Sequence, residues 1–212
     1  MADFKESFTK RTLILGSSSP RRKDLLTQAG FQFTIEAPDV DETLVRGETS
    51  RKMVERLAYE KASACLEKNK MRTHRLIIAS DTTVVIGRSQ TILGKPIDEK
   101  DAVKMLKKIS GKAHEVLTAY CIIESKNGSV LKKVIKTVST KVFIRKLDPR
   151  EIDDYVKTGE PLDKAGSYAA QGIGMSFIKR IEGSYTNVVG LPMTELLETL
   201  RKDFKEFPRW TR

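Results

Sequence analysis

The chain has 212 residues, 39% of them hydrophobic and 32% charged, and its 39 Lys and Arg against 28 Asp and Glu leave a net charge of +11. That composition suits one globular domain, 1–212, and the apolar runs are far too short to cross a bilayer as a helix, so no membrane partner is expected. The excess positive charge favours polyanions. Its densest stretch, Leu131–Lys146, holds six basic residues and no acidic one. Aromatic residues do not interleave with it and no nucleic-acid-binding signature is present, so a solvated basic face or a small polyanion such as a nucleotide is expected rather than stable nucleic-acid binding.

In chain order, Leu13–Leu15 reads as a strand, followed by the small polar turn Gly16–Ser19. Pro20 stands where a first helical residue would, with Ser19 as N-cap, and a helix is predicted over Pro20–Ala29. A second strand is expected at Phe31–Glu36, ending in the polar turn Pro38–Glu42. Apolar residues at helical spacing from Ser50 to Asn69 predict a long helix. Leu76–Ala79 and Val84–Ile86 read as two strands flanking a polar tetrad, Ser80-Asp81-Thr82-Thr83.

Asp98 then caps a helix running to about Ile109. Leu117–Glu124 and Val130–Val138 read as a hairpin around Asn127-Gly128, and Lys141–Leu147 continues the strand pattern. Asp148-Pro149-Arg150-Glu151 is a capping box that opens a helix ending by Gly159. Residues 160–192 are glycine-rich and irregular, and a last helix covers Met193–Asp203. The mixture predicts an α/β fold with a large mixed sheet. Residues 1–12 are polar and mixed in charge, without the apolar centre of a signal peptide. Cys65 and Cys121 show no metal spacing and read as ordinary buried thiols of a reduced, cytoplasmic protein.

A strand, a small-residue turn and a helix start aim free backbone N–H groups and the positive end of a helix dipole at one spot, the geometry that binds phosphate. Arg21 and Arg22 add two guanidinium forks, and Ser17 belongs to the turn. Asp81, at the end of an apolar strand, can hold a divalent metal or deprotonate a water; taken alone it reads better as a turn aspartate capping its neighbours. Lys95, between Gly94 and Pro96, sits on a rigid turn suited to a phosphate contact or simply to solvent. Gln171, in a loop of small residues, can read a base edge or satisfy backbone. His114 and the only other histidine, His74, have no metal spacing and no link to a serine or cysteine nucleophile, so His114 reads as structural.

Taken in order, these segments resemble the Maf (septum-formation-like) family of nucleoside triphosphate pyrophosphatases. The stretches that carry the resemblance are Ser17–Arg22, Asp41-Glu42, Glu60-Lys61-Ala62, Ser80-Asp81-Thr82, Leu93–Pro96, Ser110–Thr118, Glu160–Tyr168, Gln171-Gly172, Gly183-Ser184-Tyr185 and Val189–Pro192. They span about residues 13–195.

The resemblance implies an inosine-triphosphatase-like fold, with an elongated mixed sheet flanked by helices and two lobes around a central cleft. It implies hydrolysis of a nucleoside triphosphate to monophosphate and pyrophosphate with a divalent cation, Mg²⁺ or Mn²⁺, in a homodimer. Asp81 matches the general base. Arg21, Thr82 and Gln171 match positions tied to substrate choice, and Arg22, Glu42, Lys61 and Lys95 match other cleft residues, Glu42 as a metal ligand beside Asp81. The Asp81-Thr82 and Gln171-Gly172 pairs are similar to the branch acting on dTTP and UTP. Two other classes stay open at this point: a nucleotide-binding regulator without turnover, and a basic nucleic-acid-associated protein.

Overall fold

One long strand organises the molecule. The computed structural model describes residues 11–68 and 74–211, so Asn69, the expected end of the long helix, and most of the 1–12 segment lie outside the described residues. In chain order the elements are β1 (Thr12–Gly16), α1 (Pro20–Gln28), β2 (Thr34–Ile35), α2 (Ser50–Lys68), β3 (His74–Ile86), β4 (Thr91–Leu93) and α3 (Glu99–Ile109). There follow β5 (Ala113–Lys126), β6 (Ser129–Ile144), α4 (Pro149–Lys157), β7 (Ile178–Glu182), α5 (Tyr185–Val189) and α6 (Met193–Phe204). The seven strands form one mixed sheet in the order β2-β1-β3-β5-β6-β7, with β4 also against β3.

Strand β1 is parallel to β2 and β3, and every other pair is antiparallel. Asn127 and Gly128 both take positive φ, as a two-residue hairpin between β5 and β6 demands.

The polar tetrad Ser80–Thr83 does not separate two strands. Strand β3 runs straight through it, because β5 pairs with it residue by residue: Ser80 with Tyr120, Asp81 with Ala119, Thr82 with Thr118, Thr83 with Leu117. A partner strand that satisfies the backbone throughout overrides the local polar composition. Strand β6 runs through both Val130–Val138 and the continuation expected from Lys141, and ends at Ile144. The segment 160–192, expected to be irregular, also holds β7 and α5. Strand β7 is a five-residue edge strand mostly open to solvent, so its sequence lacks a buried run that would mark it. Only Thr34 and Ile35 of the expected second strand pair.

The pairing of β3 creates an opening. Strand β5 lies along one edge of β3 from His74 to Val85. The other edge is shared by β1, whose register ends at Gly16 opposite Ala79, and by β4, which starts at Leu93 opposite Val84. Ser80–Thr83 therefore faces a gap in the sheet on that edge.

The side-chain alternation of β3 divides the core. Ile77, Ala79 and Val85 face α2 and pack on Val54, Leu57, Ala58, Ala62 and Cys65. Leu76 and Ile78 point the other way, into a cluster with α1 and α6, while Val84 and Ile86 enter a second cluster with α3 and α4. The two clusters lie on either side of the gap.

Candidate active site

At the gap, β1 gives way to the turn Ser17–Ser19 and then α1. Pro20 opens α1 as expected and Ser19 holds the cap position, but its side chain makes no cap bond. Ser17 Oγ instead accepts the Ser19 N–H at 3.2 Å. All nine residues singled out in the sequence line one cleft of about 560 Å³: Ser17, Arg21, Arg22, Glu42, Lys61, Asp81, Thr82, Lys95 and Gln171.

Two hydrogen-bonded groups form its floor. On the α2 side, Lys61 is buried in the apolar stripe of α2, and its Nζ lies 2.6 Å from Asp81 Oδ1 and 2.6 Å from Glu42 Oε1. Lys95 Nζ reaches Glu42 Oε2 at 3.4 Å. Burial would raise the Glu42 carboxyl, but the hydrogen bond and charge of Lys61, with Lys95 adding to them, hold it below its usual 4.5.

On the opposite face of β3, Arg22 Nε donates to the Gly190 carbonyl at 2.9 Å, Nη1 to Ser17 Oγ at 3.2 Å and Nη2 to Thr82 Oγ1 at 3.1 Å. Burial and the neighbouring Arg21 charge lower the Arg22 pKa against the opposing pull of Asp81 and Glu42, yet a guanidinium keeps its proton at neutral pH. Arg21 extends to the rim and lies 3.8 Å from Asp163.

Gln171 is held from behind. Glu160 accepts the N–H of Ile173 through Oε2 and that of Gly174 through Oε1, both at 2.9 Å, and Oε1 also accepts the Tyr155 hydroxyl at 2.8 Å. Gly172 has φ +95, and a Cβ there would meet Glu160 Oε2 at 2.4 Å, so only glycine lets the carboxylate approach. Sequence reasoning gave Glu160 no task beyond its place at the start of the matching stretch Glu160–Tyr168, where its acidic side chain stands in a loop with Ala165, Gly166, Ser167, Ala169 and Ala170.

His114 stands apart from the chemistry. It is buried with Nε2 2.8 Å from the Tyr168 hydroxyl, and burial pushes its pKa down to about 4, the mark of a neutral core histidine. Cys65 and Cys121 are buried free thiols on α2 and β5, pushed up by burial to about 11 and about 12.

The donors fit a hard divalent cation. Glu42 and Asp81 converge on one ammonium, and a pair of carboxylates completed by phosphate oxygens and water is the set that Mg²⁺ takes. Among the described residues no group of three or more His, Cys, Asp and Glu side chains could hold a metal without such help. No helix there is long and apolar enough to cross a membrane.

Two solved structures overlap the chain at 12% identity, a Mycobacterium abscessus protein titled nucleoside-triphosphatase / dITP/XTP pyrophosphatase (TM-score 0.42, covering 90% of this chain and 93% of that one) and the Staphylococcus aureus Ham1 protein (TM-score 0.43, 91% and 90%). At those TM-scores the likeness fixes neither a fold family nor a substrate.

Sequence relatives are far nearer. A Geobacter sulfurreducens protein named dTTP/UTP pyrophosphatase is 44% identical over 193 residues, covering 91% of this chain and 97% of its own. One of the same name from Shewanella sp. (strain MR-7) is 47% identical, covering 89% and 96%. The family described as Maf-like protein matches residues 12–203, a span that contains every residue of the cleft described above; the chain belongs to the Maf family.

Proposed function

We propose that the protein hydrolyses dTTP and UTP to the monophosphate and pyrophosphate. The observation that carries this is the convergence of Arg21, Arg22, Lys61 and Lys95 with Asp81 on the single gap beside β3. Three of these cations suit a triphosphate, and a buried carboxylate held by the fourth, Lys61, suits a water. The names of the relatives support the choice of pyrimidine.

A triphosphate carries about four negative charges, which repel a nucleophile and grow on the leaving group as the bond breaks; fixed cations and N–H donors lower that barrier. Arg21, Arg22 and Lys95, with the Ser17–Ser19 amides, bind and neutralise the phosphates. Lys61 holds Asp81 Oδ1, which leaves Oδ2 to take a proton from the attacking water. The water oxygen bonds to the α-phosphorus, the bond from that phosphorus to the α–β bridging oxygen breaks, and pyrophosphate leaves. Glu42 and Asp81 would hold the divalent cation, which when bound supplies further charge neutralisation.

Gln171 presents an acceptor and a donor that complement the N3–H and O4 of a pyrimidine. A homodimer comes with the family resemblance, and sedimentation reads it directly.

The deciding experiment measures pyrophosphate release over dTTP, UTP, CTP, ATP and GTP with Mg²⁺ or Mn²⁺. Turnover that favours dTTP and UTP is expected. Tight nucleotide binding without turnover, or salt-sensitive DNA or RNA binding in its place, overturns the proposal.

A further inference from the structure

Thr82 matches a family position tied to substrate choice, yet the one hydrogen of its hydroxyl is already committed within the protein. Thr118 Oγ1 lies 2.9 Å from the backbone carbonyl of Asn187, and a carbonyl can only accept, so the single hydroxyl hydrogen of Thr118 goes there. Thr82 Oγ1 lies 2.9 Å from Thr118 Oγ1. With the Thr118 hydrogen spent, Thr82 must be the donor of that pair. Arg22 Nη2 lies 3.1 Å from Thr82 Oγ1, and a guanidinium only donates. The hydrogens therefore all point one way, from Arg22 to Thr82 to Thr118 to the Asn187 carbonyl.

The anchor is rigid. Asn187 is fully buried, and its Nδ2 donates to the Val116 carbonyl and to Thr140 Oγ1, each at 3.0 Å. Gly190, three residues on, supplies the carbonyl that accepts both Arg22 Nε and Ser80 Oγ. The motif Gly183–Pro192, which the sequence reading matched but left without a task, thus holds Arg22 directly at the Gly190 carbonyl and, through Thr82 and Thr118, at the Asn187 carbonyl. Three of the five N–H groups of Arg22 are spent on the protein; one on each terminal nitrogen is left for phosphate oxygens.

We propose that Thr82 is a positioning residue for Arg22, the near end of a one-directional hydrogen-bond chain through Thr118 to Asn187, and does not select the base. This rests on Arg22 being a phosphate ligand, as proposed above.

A double-mutant cycle tests it. Thr82→Val keeps the shape and removes the acceptor of Arg22. It should lower kcat/KM about tenfold or more, by the same factor for dTTP, UTP and CTP, the scale of one hydrogen bond to a charged group. Thr82→Ser should restore activity. In an Arg22→Ala background, Thr82→Val should add less than about twofold, since its effect passes through the missing arginine.

Thr118→Val, which removes the next link away from the cleft, should give a smaller loss that also vanishes without Arg22. The thermal midpoint of each variant separates misfolding from this effect. A changed dTTP:CTP ratio in Thr82→Val, an undiminished effect without Arg22, or no loss at all overturns the proposal. If the wild-type protein turns over no triphosphate, the functional reading fails on its own. The same cycle is then read from calorimetric binding of inorganic pyrophosphate, where the same non-additivity is expected and additivity overturns it.

Discussion

Lys61 Nζ stands 2.6 Å from Asp81 Oδ1 and, with the same separation, from Glu42 Oε1, so one buried ammonium holds together the two carboxylates on which the proposed chemistry depends. Asp81→Asn keeps the size but cannot accept the proton of a water, and should lower kcat for dTTP by about 100-fold or more, the usual worth of a positioned base. A loss of only two- or threefold in a pyrophosphate-release assay removes Asp81 from that role.

Lys61→Met keeps the apolar stem in the α2 stripe and removes the charge. Asp81, buried, is left without its ion-pair partner, which should cost about 3 kcal/mol of stability in urea unfolding. Glu42 loses the contacts that hold its carboxyl low, so its titration should move up. A variant as stable as the parent would show that Lys61 neutralises phosphate only and does not hold the carboxylates.

Glu160 fixes the loop of Gln171 by accepting two backbone N–H groups at 2.9 Å. Its carboxyl stays below the usual range: burial would raise it, but those bonds and the Tyr155 hydroxyl outweigh burial. Glu160→Gln turns an NH₂ toward one of those donors, with an expected loss of about 1–3 kcal/mol. It should also reduce the preference for dTTP over CTP more than it reduces total turnover. Lower stability with an unchanged preference would mean that Gln171 does not read the base.

The pH dependence of stability should carry the signature of His114. Its folded pKa, about 4, lies below its ordinary 6.5, so between those values the unfolded chain binds the extra proton. Stability is then complete above pH 6.5 and falls as pH drops toward 4, by about 3 kcal/mol from this group. His114→Gln, which can still bond Tyr168, should flatten that acid limb. An identical acid limb in both proteins, followed by urea midpoints, refutes the assignment.

Gly16, where β1 ends and the phosphate-facing turn begins, has no room for a side chain. A Cβ there would lie 2.9 Å from Cys65 Sγ and 3.2 Å from Ala79 Cβ. Gly16→Ala should destabilise by about 1–3 kcal/mol through overpacking and raise KM by displacing Ser17. Cys65→Ala in the same chain should return part of both losses; no return would place the strain elsewhere in the backbone.

Much of this protein is written locally. The capping box at Asp148, the Asn127-Gly128 hairpin, proline at the start of α1 and the apolar stripe of α2 are short-range signals, since caps, turns and periodicity need only near neighbours. The motif order also picked out the nine residues that line the cleft, Lys61 among them, but not that Lys61 is buried between two carboxylates. The tertiary structure alone decided that β3 runs unbroken through Ser80–Thr83, because a distant strand, β5, supplies its hydrogen bonds. It alone placed Asp81 and Thr82 on opposite faces of that strand, one toward Lys61 and the other toward Arg22. And it alone gave Glu160, Thr118 and Asn187 their tasks, since each works by a hydrogen bond across a span of chain that no sequence period records.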